Sequence, residues 1–138
     1  PVLRPAEDSD IPVLRGMSPA MGAAVDIALR REGMIVATTD QDAADAIESV
    51  PGAFGGTTLA IVLSEKRDIR VLALGGVVPS VETLRDGSYA CAKTFRMVTK
   101  NDPPDAVRRF VDFVRSPAGY AILAKNGQVP LREKAGRP

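Results

Sequence analysis

The chain has 138 residues, about one domain's worth, with 45% hydrophobic and 25% charged residues and a net charge of +1. These values exclude wholesale disorder and give little reason to expect a surface for nucleic acid or an anionic membrane. There is no histidine, which excludes a Ser-His-Asp triad, a Cys-His dyad and a His-ligated zinc site within the chain. Asp and Glu remain available for acid–base work, but no pair of them can be placed together, and no enzyme activity, cofactor or metal site is expected. Aromatic residues make up 4% and tryptophan is absent, so platforms for stacking bases or sugars are sparse. Cys91 is the only cysteine, reads as a buried structural thiol and has no histidine to activate it. The longest apolar run, Leu59 to Leu63, is too short to span a membrane. The sequence starts at Pro1 without a methionine, which suggests a processed protein or a piece of a longer one.

In chain order, Val2-Leu3-Arg4 reads as a short strand leading into the loop Pro5 to Asp10. A helical turn is expected at Pro12 to Gly16. Ser18-Pro19 is a cap-then-proline helix start, and Met21, Ala24, Val25, Ala28 and Leu29 follow at helical spacing. This predicts a helix over Ser18–Arg31. A buried strand is expected at Ile35–Thr38. A second helix follows at Asp40–Val50, with Ala43, Ala44 and Ile47 as its apolar stripe. Asp40, Asp42 and Asp45 near its start suit the positive end of the helix dipole.

Phe54 to Thr58 reads as a tight loop. Leu59 to Leu63 fits a strand or a short buried helix equally well. Ile69–Leu74 is expected to be a strand, with a loop at Gly75-Gly76 and a short helix from Ser80 to Gly87. A further strand is expected within Ala90 to Thr99, centred on Ala92–Val98. Val107, Phe110, Val111 and Val114 mark a helix over Pro103–Arg115, and Ser116 caps another at Pro117–Asn126. Alternating short strands and helices predict an α/β domain with a mixed, mostly parallel sheet flanked by helices.

Three segments carry a family resemblance: Ser49-Val-Pro-Gly-Ala-Phe-Gly-Gly56; Leu72 to Ser80 with Thr83 to Tyr89; and Phe110 to Gly119 continuing to Lys125-Asn-Gly-Gln-Val-Pro-Leu131. In that order and spacing they resemble the C-terminal half of phosphate-type periplasmic solute-binding proteins of ABC transporters. The resemblance implies a type 2 periplasmic-binding-protein lobe. It divides the chain into a second-lobe ligand-binding region at 1–89, a return strand and first-lobe helices at 90–131, and a flexible tail at 132–138. It also implies a periplasmic or extracellular bacterial protein that binds a small oxyanion such as phosphate and delivers it to an ABC permease. The alternative is a ligand-sensing domain of the same fold in a bacterial transcription regulator.

In that family an arginine and a Ser-Gly-Thr loop at a helix N-terminus hold the oxyanion. Unpaired backbone amides and the helix dipole attract the anion there, and the guanidinium fork matches its oxygens. By resemblance the candidate ligand contacts are Arg4, Asp8, Ser9 and Asp10, with Thr57 and Thr58 from the glycine-rich loop. Here only Ser9 supplies a hydroxyl in the first loop. Glu7, Asp8 and Asp10 bring negative charge, so removing Asp8 or Asp10 is expected to tighten anion binding. A carboxylate could still accept a proton from hydrogen phosphate, or the acids could hold a hard cation. The apolar faces of the two C-terminal helices, without a first-lobe sheet to cover them, predict self-association.

Overall fold

The computed structural model describes residues 1–131. The expected tail at 132–138 lies outside the described residues. The chain runs β1 (Val2–Leu3), α1 (Asp10–Met17), α2 (Pro19–Arg30), β2 (Ile35–Val36), α3 (Asp40–Ser49), α4 (Leu59–Ser64), α5 (Val81–Arg85), α6 (Asp105–Arg115) and α7 (Pro117–Lys125).

The centre of the fold is β1. It pairs in parallel with β2, with Val2 opposite Ile35 and Leu3 opposite Val36. On its other edge the Val2 N–H donates to the Phe54 carbonyl at 2.7 Å, and Val2 bridges Gly55 in parallel. A Cβ at Gly55 would lie 2.7 Å from the Val2 carbonyl oxygen, so only glycine allows the loop this close to the strand.

The crossover from β1 to β2 is made by α1 and α2, which pack on each other. The first of these helices is longer than the turn expected at Pro12 to Gly16. The second starts as its sequence predicts: Pro19 opens it and the Ser18 hydroxyl accepts the Met21 N–H at 3.1 Å. α3 begins with a reciprocal cap. Thr39 Oγ1 accepts the Asp42 N–H and Asp42 Oδ2 accepts the Thr39 N–H, each at 3.0 Å. The hydrogen bond from the Thr39 side holds the Asp42 carboxyl below its ordinary range, so one of the three early acids of α3 is part of its cap. Ala43 and Ala44 are fully buried, and Val2, Ala37, Ala43, Ala46, Ile47 and Ala53 form one apolar cluster. The small side chains bring α3 close against β1, and Ile11 plugs the core as its one large, fully buried side chain.

The ambiguous run at Leu59 is helical. Thr58 Oγ1 caps it by accepting the Ile61 N–H at 3.4 Å, and Leu59 and Leu63 pack on Gly127 just after α7. Beyond its end, Arg67 joins α3 to α4 by ion pairs with Asp45, with Glu48 at 3.2 Å and with Glu65 at 2.7 Å.

Two expected strands do not form. Ile69–Leu74 is irregular except where Leu74 and Val77 exchange hydrogen bonds of 2.9 and 3.0 Å around Gly75 and Gly76, both at positive φ. That is a local hairpin turn of the primed kind, closing on itself. Ala92–Val98 is irregular throughout. Among the described residues no backbone hydrogen bonds join either segment to a neighbouring strand. A strand is stable only as half of a ladder, and β propensity without a paired neighbour leaves the chain irregular. The observed sheet is thus a two-stranded parallel one, within the α/β class but much smaller than the mixed sheet expected.

The helices α6 and α7 meet at Ser116, whose hydroxyl accepts the Gly119 N–H at 3.2 Å. Asp102 does not cap α6; its carboxylate instead accepts from Arg108 at 2.9 Å. No helix of the described residues is long and apolar enough to cross a membrane.

Candidate functional site

Arg4 leaves β1 pointing into the fold and is only 8% exposed. A buried guanidinium needs acceptors, and this one has them. Nε and Nη2 donate to Asp8 Oδ2 at 3.1 and 2.7 Å, and Nη1 donates to the Ala37 carbonyl at 3.2 Å. Nη2 also lies 3.3 Å from Asp40 Oδ1, at the start of α3. One side chain therefore ties together β1, the first loop, the end of β2 and the N-terminus of α3.

The loop is organised by Asp8. Its Oδ1 accepts the Asp10 N–H at 2.8 Å, which serves the start of α1 where Ser9 makes no side-chain cap. That backbone hydrogen bond, helped by Arg4 and opposed by partial burial, holds the Asp8 carboxyl below its ordinary range. Asp10 forms an ion pair with Lys93, whose Nζ also lies 3.1 Å from Ser9 Oγ. Lys93 comes from the irregular segment 83 residues further along the chain. Its ammonium stands 6.0 Å from the Phe95 ring centroid.

These groups surround an open cleft of about 310 Å³ lined by Arg4, Asp8, Ser9, Asp40, Gln41, Ile61, Lys93 and Phe95. Its wall carries two cations, Arg4 and Lys93, and the carboxylates of Asp8 and Asp40, with Asp10 immediately behind Lys93. The arrangement offers donors and acceptors side by side. It suits a small polar ligand that both accepts and donates hydrogen bonds.

The structure brings Arg4, Asp8, Ser9 and Asp10 together as the sequence reading expects. Thr57 and Thr58 stand one layer back. Thr57 Oγ1 donates to the Asp40 carbonyl at 3.1 Å, and Thr58 caps α4. Asp8 pairs with Arg4 and Asp10 with Lys93, so two of the acids of this loop each have a cation beside them. Arg4 is also joined by a second cation, Lys93, which sequence reasoning did not place here. Nothing local in Tyr89-Ala-Cys-Ala-Lys93 signals this, because the contact depends on tertiary structure. Asp40 was legible only as a helix-start acid. Among the described residues no group of three or more histidine, cysteine or acidic side chains is arranged to hold a metal ion. Cys91 is half-buried, with Sγ 3.6 Å from Met17 Sδ, and burial pushes its thiol pKa up, away from reactivity.

No family model matches the chain, and no solved structure matches it. Two curated proteins do, both described as phosphate-binding protein PstS 2, from Streptococcus agalactiae serotype V and serotype III strains. Each is 33% identical over 82 residues, which covers 59% of this chain and 27% of the relative. The chain thus spans about a quarter of the length of these relatives, and what the comparison shows is a partial similarity to phosphate-binding proteins.

Proposed function

We propose that the chain provides one wall of an oxyanion-binding cleft in a solute-binding protein. In this reading it binds without catalysing a reaction, is periplasmic or extracellular, and passes its ligand to an ABC permease. The observation that carries the reading is the convergence of Arg4, Lys93 and the Ser9 hydroxyl on a cleft that also presents carboxylates. The similarity to phosphate-binding proteins supports the choice of anion. A proton-bearing oxyanion such as hydrogen phosphate fits this mixed wall. It can accept from the cations and donate its own proton to Asp8, Asp10 or Asp40, whereas sulfate has no proton to give. Arg4, Asp8, Ser9 and Asp10 form the contact set in this proposal, and Thr57 and Thr58 hold Asp40 and α4 in place behind it. The lobe architecture of type 2 periplasmic binding proteins belongs to the same proposal, as does the division of the described chain at residue 89.

Calorimetric titration with phosphate, sulfate, molybdate and tungstate tests the reading. Phosphate should bind more tightly than sulfate, and Ser9→Ala should weaken phosphate by roughly tenfold, the loss of one hydrogen bond to a charged group. No heat with any of the four anions would remove the oxyanion reading. Self-association through α6 and α7 remains part of the proposal, supported by the exposure of Phe110, Phe113 and Ile122. Sedimentation showing a monomer at high micromolar concentration would remove that part.

A further inference from the structure

We infer that Lys93 is an exchangeable latch: paired with Asp10 and Ser9 it holds the 90–99 segment on the cleft, and an oxyanion entering the cleft takes the ammonium from them. The inference rests on the proposed function for its ligand, but its mechanical half stands on geometry alone.

The segment around Lys93 has little else to hold it. Among the described residues, no backbone–backbone hydrogen bond is made by any residue from Ala90 to Thr99. Its apolar side chains are largely unburied, with Phe95 and Met97 exposed and Val98 91% exposed. Among the described residues, the side-chain hydrogen bonds and ion pairs by which this segment reaches back to the first part of the chain are the pair of Lys93 with Asp10, its hydrogen bond to Ser9, and that of Cys91 Sγ with Met17 Sδ. All of them land on α1 or the residue before it. An ion pair that carries the tethering of a segment to a ligand site couples the two. Whatever competes for the ammonium also changes how the segment is held.

The two cations of the cleft differ in how they can respond. Arg4 is buried, and Asp8, Asp40 and the Ala37 carbonyl share its planar fork, so it is a fixed part of the wall. Lys93 is a point charge on a flexible four-carbon stem, and its partners lie at the cleft's edge. An ammonium has three donors, so it can turn from a carboxylate and a hydroxyl toward an anion without rebuilding the wall. When it does, Asp10 loses its partner at the moment a proton-bearing anion is present to supply a hydrogen bond in its place. Phe95, beside the ammonium and lining the cleft, moves with the latch.

Cys91 gives the experiment a built-in reporter, two residues from Lys93 and half-buried against Met17. The rate of thiol modification by a disulfide reagent is measured on wild type, Lys93→Met, Lys93→Arg and Asp10→Asn, with and without inorganic phosphate, alongside calorimetric titration of each. Without phosphate, Lys93→Met and Asp10→Asn should both speed Cys91 labelling severalfold, and Lys93→Arg should stay near wild type. With phosphate, wild-type labelling should change and Lys93→Met labelling should not. Phosphate affinity should fall roughly tenfold to a hundredfold in Lys93→Met, the loss of a charged hydrogen bond. Unchanged labelling in both Lys93→Met and Asp10→Asn overturns the latch, whether or not phosphate binds. Phosphate binding of equal strength in wild type and Lys93→Met overturns the exchange while leaving the oxyanion reading intact. A wild type that binds no phosphate overturns the exchange, and the oxyanion reading falls with it if sulfate, molybdate and tungstate also give no heat. In that case the labelling rates without ligand still decide the tether.

Discussion

The first and last thirds of the described chain obey the same sequence rules and end in different physical states. Among the described residues, 1–53 hold every buried apolar side chain: Val2, Ile11, Val25, Ala37, Ala43 and Ala44. Between Ala90 and Leu131 only Gly119 is buried, yet α6 there has a strongly amphipathic sequence. Val107, Phe110 and Phe113 of α6 are exposed, Phe110 at 60%. Amphipathicity records that a helix face is suited to burial. Whether it is buried depends on a partner surface, which is a property of the tertiary structure.

Paired substitutions sharpen this contrast. Ile11 is 1% exposed, and Ile11→Ala should cost about 3 kcal/mol in urea denaturation, the sum of lost transfer energy and the cavity left behind. Phe110→Ser removes a larger apolar group but should cost under about 0.5 kcal/mol, as expected of an exposed site. Equal effects would mean that α6 is covered in solution.

A smaller effect is expected where the first region meets its loop. Gly55→Ala places a methyl 2.7 Å from the Val2 carbonyl oxygen and 3.1 Å from its Cβ. Strand and loop must separate, with a cost of about 2 kcal/mol, because backbone cannot yield as a flexible side chain does. Gly16→Ala, where nothing lies within 4 Å of the new Cβ, is the control and should be neutral or slightly stabilising.

The smallest effect appears only in acid. The Asp8 carboxyl is held below its ordinary value of 3.8 in the folded protein. A carboxylate lowered on folding adds stability that is complete above its unfolded value and is lost as pH falls through the folded one. Thermal midpoints should therefore decline below about pH 4, and Asp8→Asn should flatten part of that decline. Asp42 is lowered for a similar reason, so Thr39→Ala, which removes the reciprocal cap, should flatten another part. An acid limb unchanged in Asp8→Asn would show that its pairing with Arg4 and the Asp10 amide is not formed in solution.

The same contrast explains what was legible in the sequence. Helices announce themselves locally, as at Ser18-Pro19, Ser80 and Ser116-Pro117, and each of these caps is made. Strands do not, because half of each strand lies elsewhere in the chain. Val2-Leu3 forms because Ile35 and Gly55 flank it, while Ile69–Leu74, with a stronger β composition, has no such neighbour among the described residues. The site divides the same way. Arg4, Asp8 and Ser9 lie within a short stretch and could be grouped by eye. Lys93 and Asp40 reach the cleft only through folding, where Lys93 partly offsets the negative charge of the loop it joins.

The Arg67 cluster sits at the opposite ends of α3 and α4 from the cleft. Asp45 and Glu48 belong to the later turns of α3, and Arg67 follows α4, whereas Asp40 and Ile61 near the two helix starts face the ligand space. The two helices are riveted behind by Arg67 and are also tied in front, where Thr57 Oγ1 donates to the Asp40 carbonyl. That rivet lies at the protein surface, where dissolved salt weakens it. The hold of α3 on α4 should therefore weaken as the ionic strength of the medium rises, through charges that lie away from the cleft.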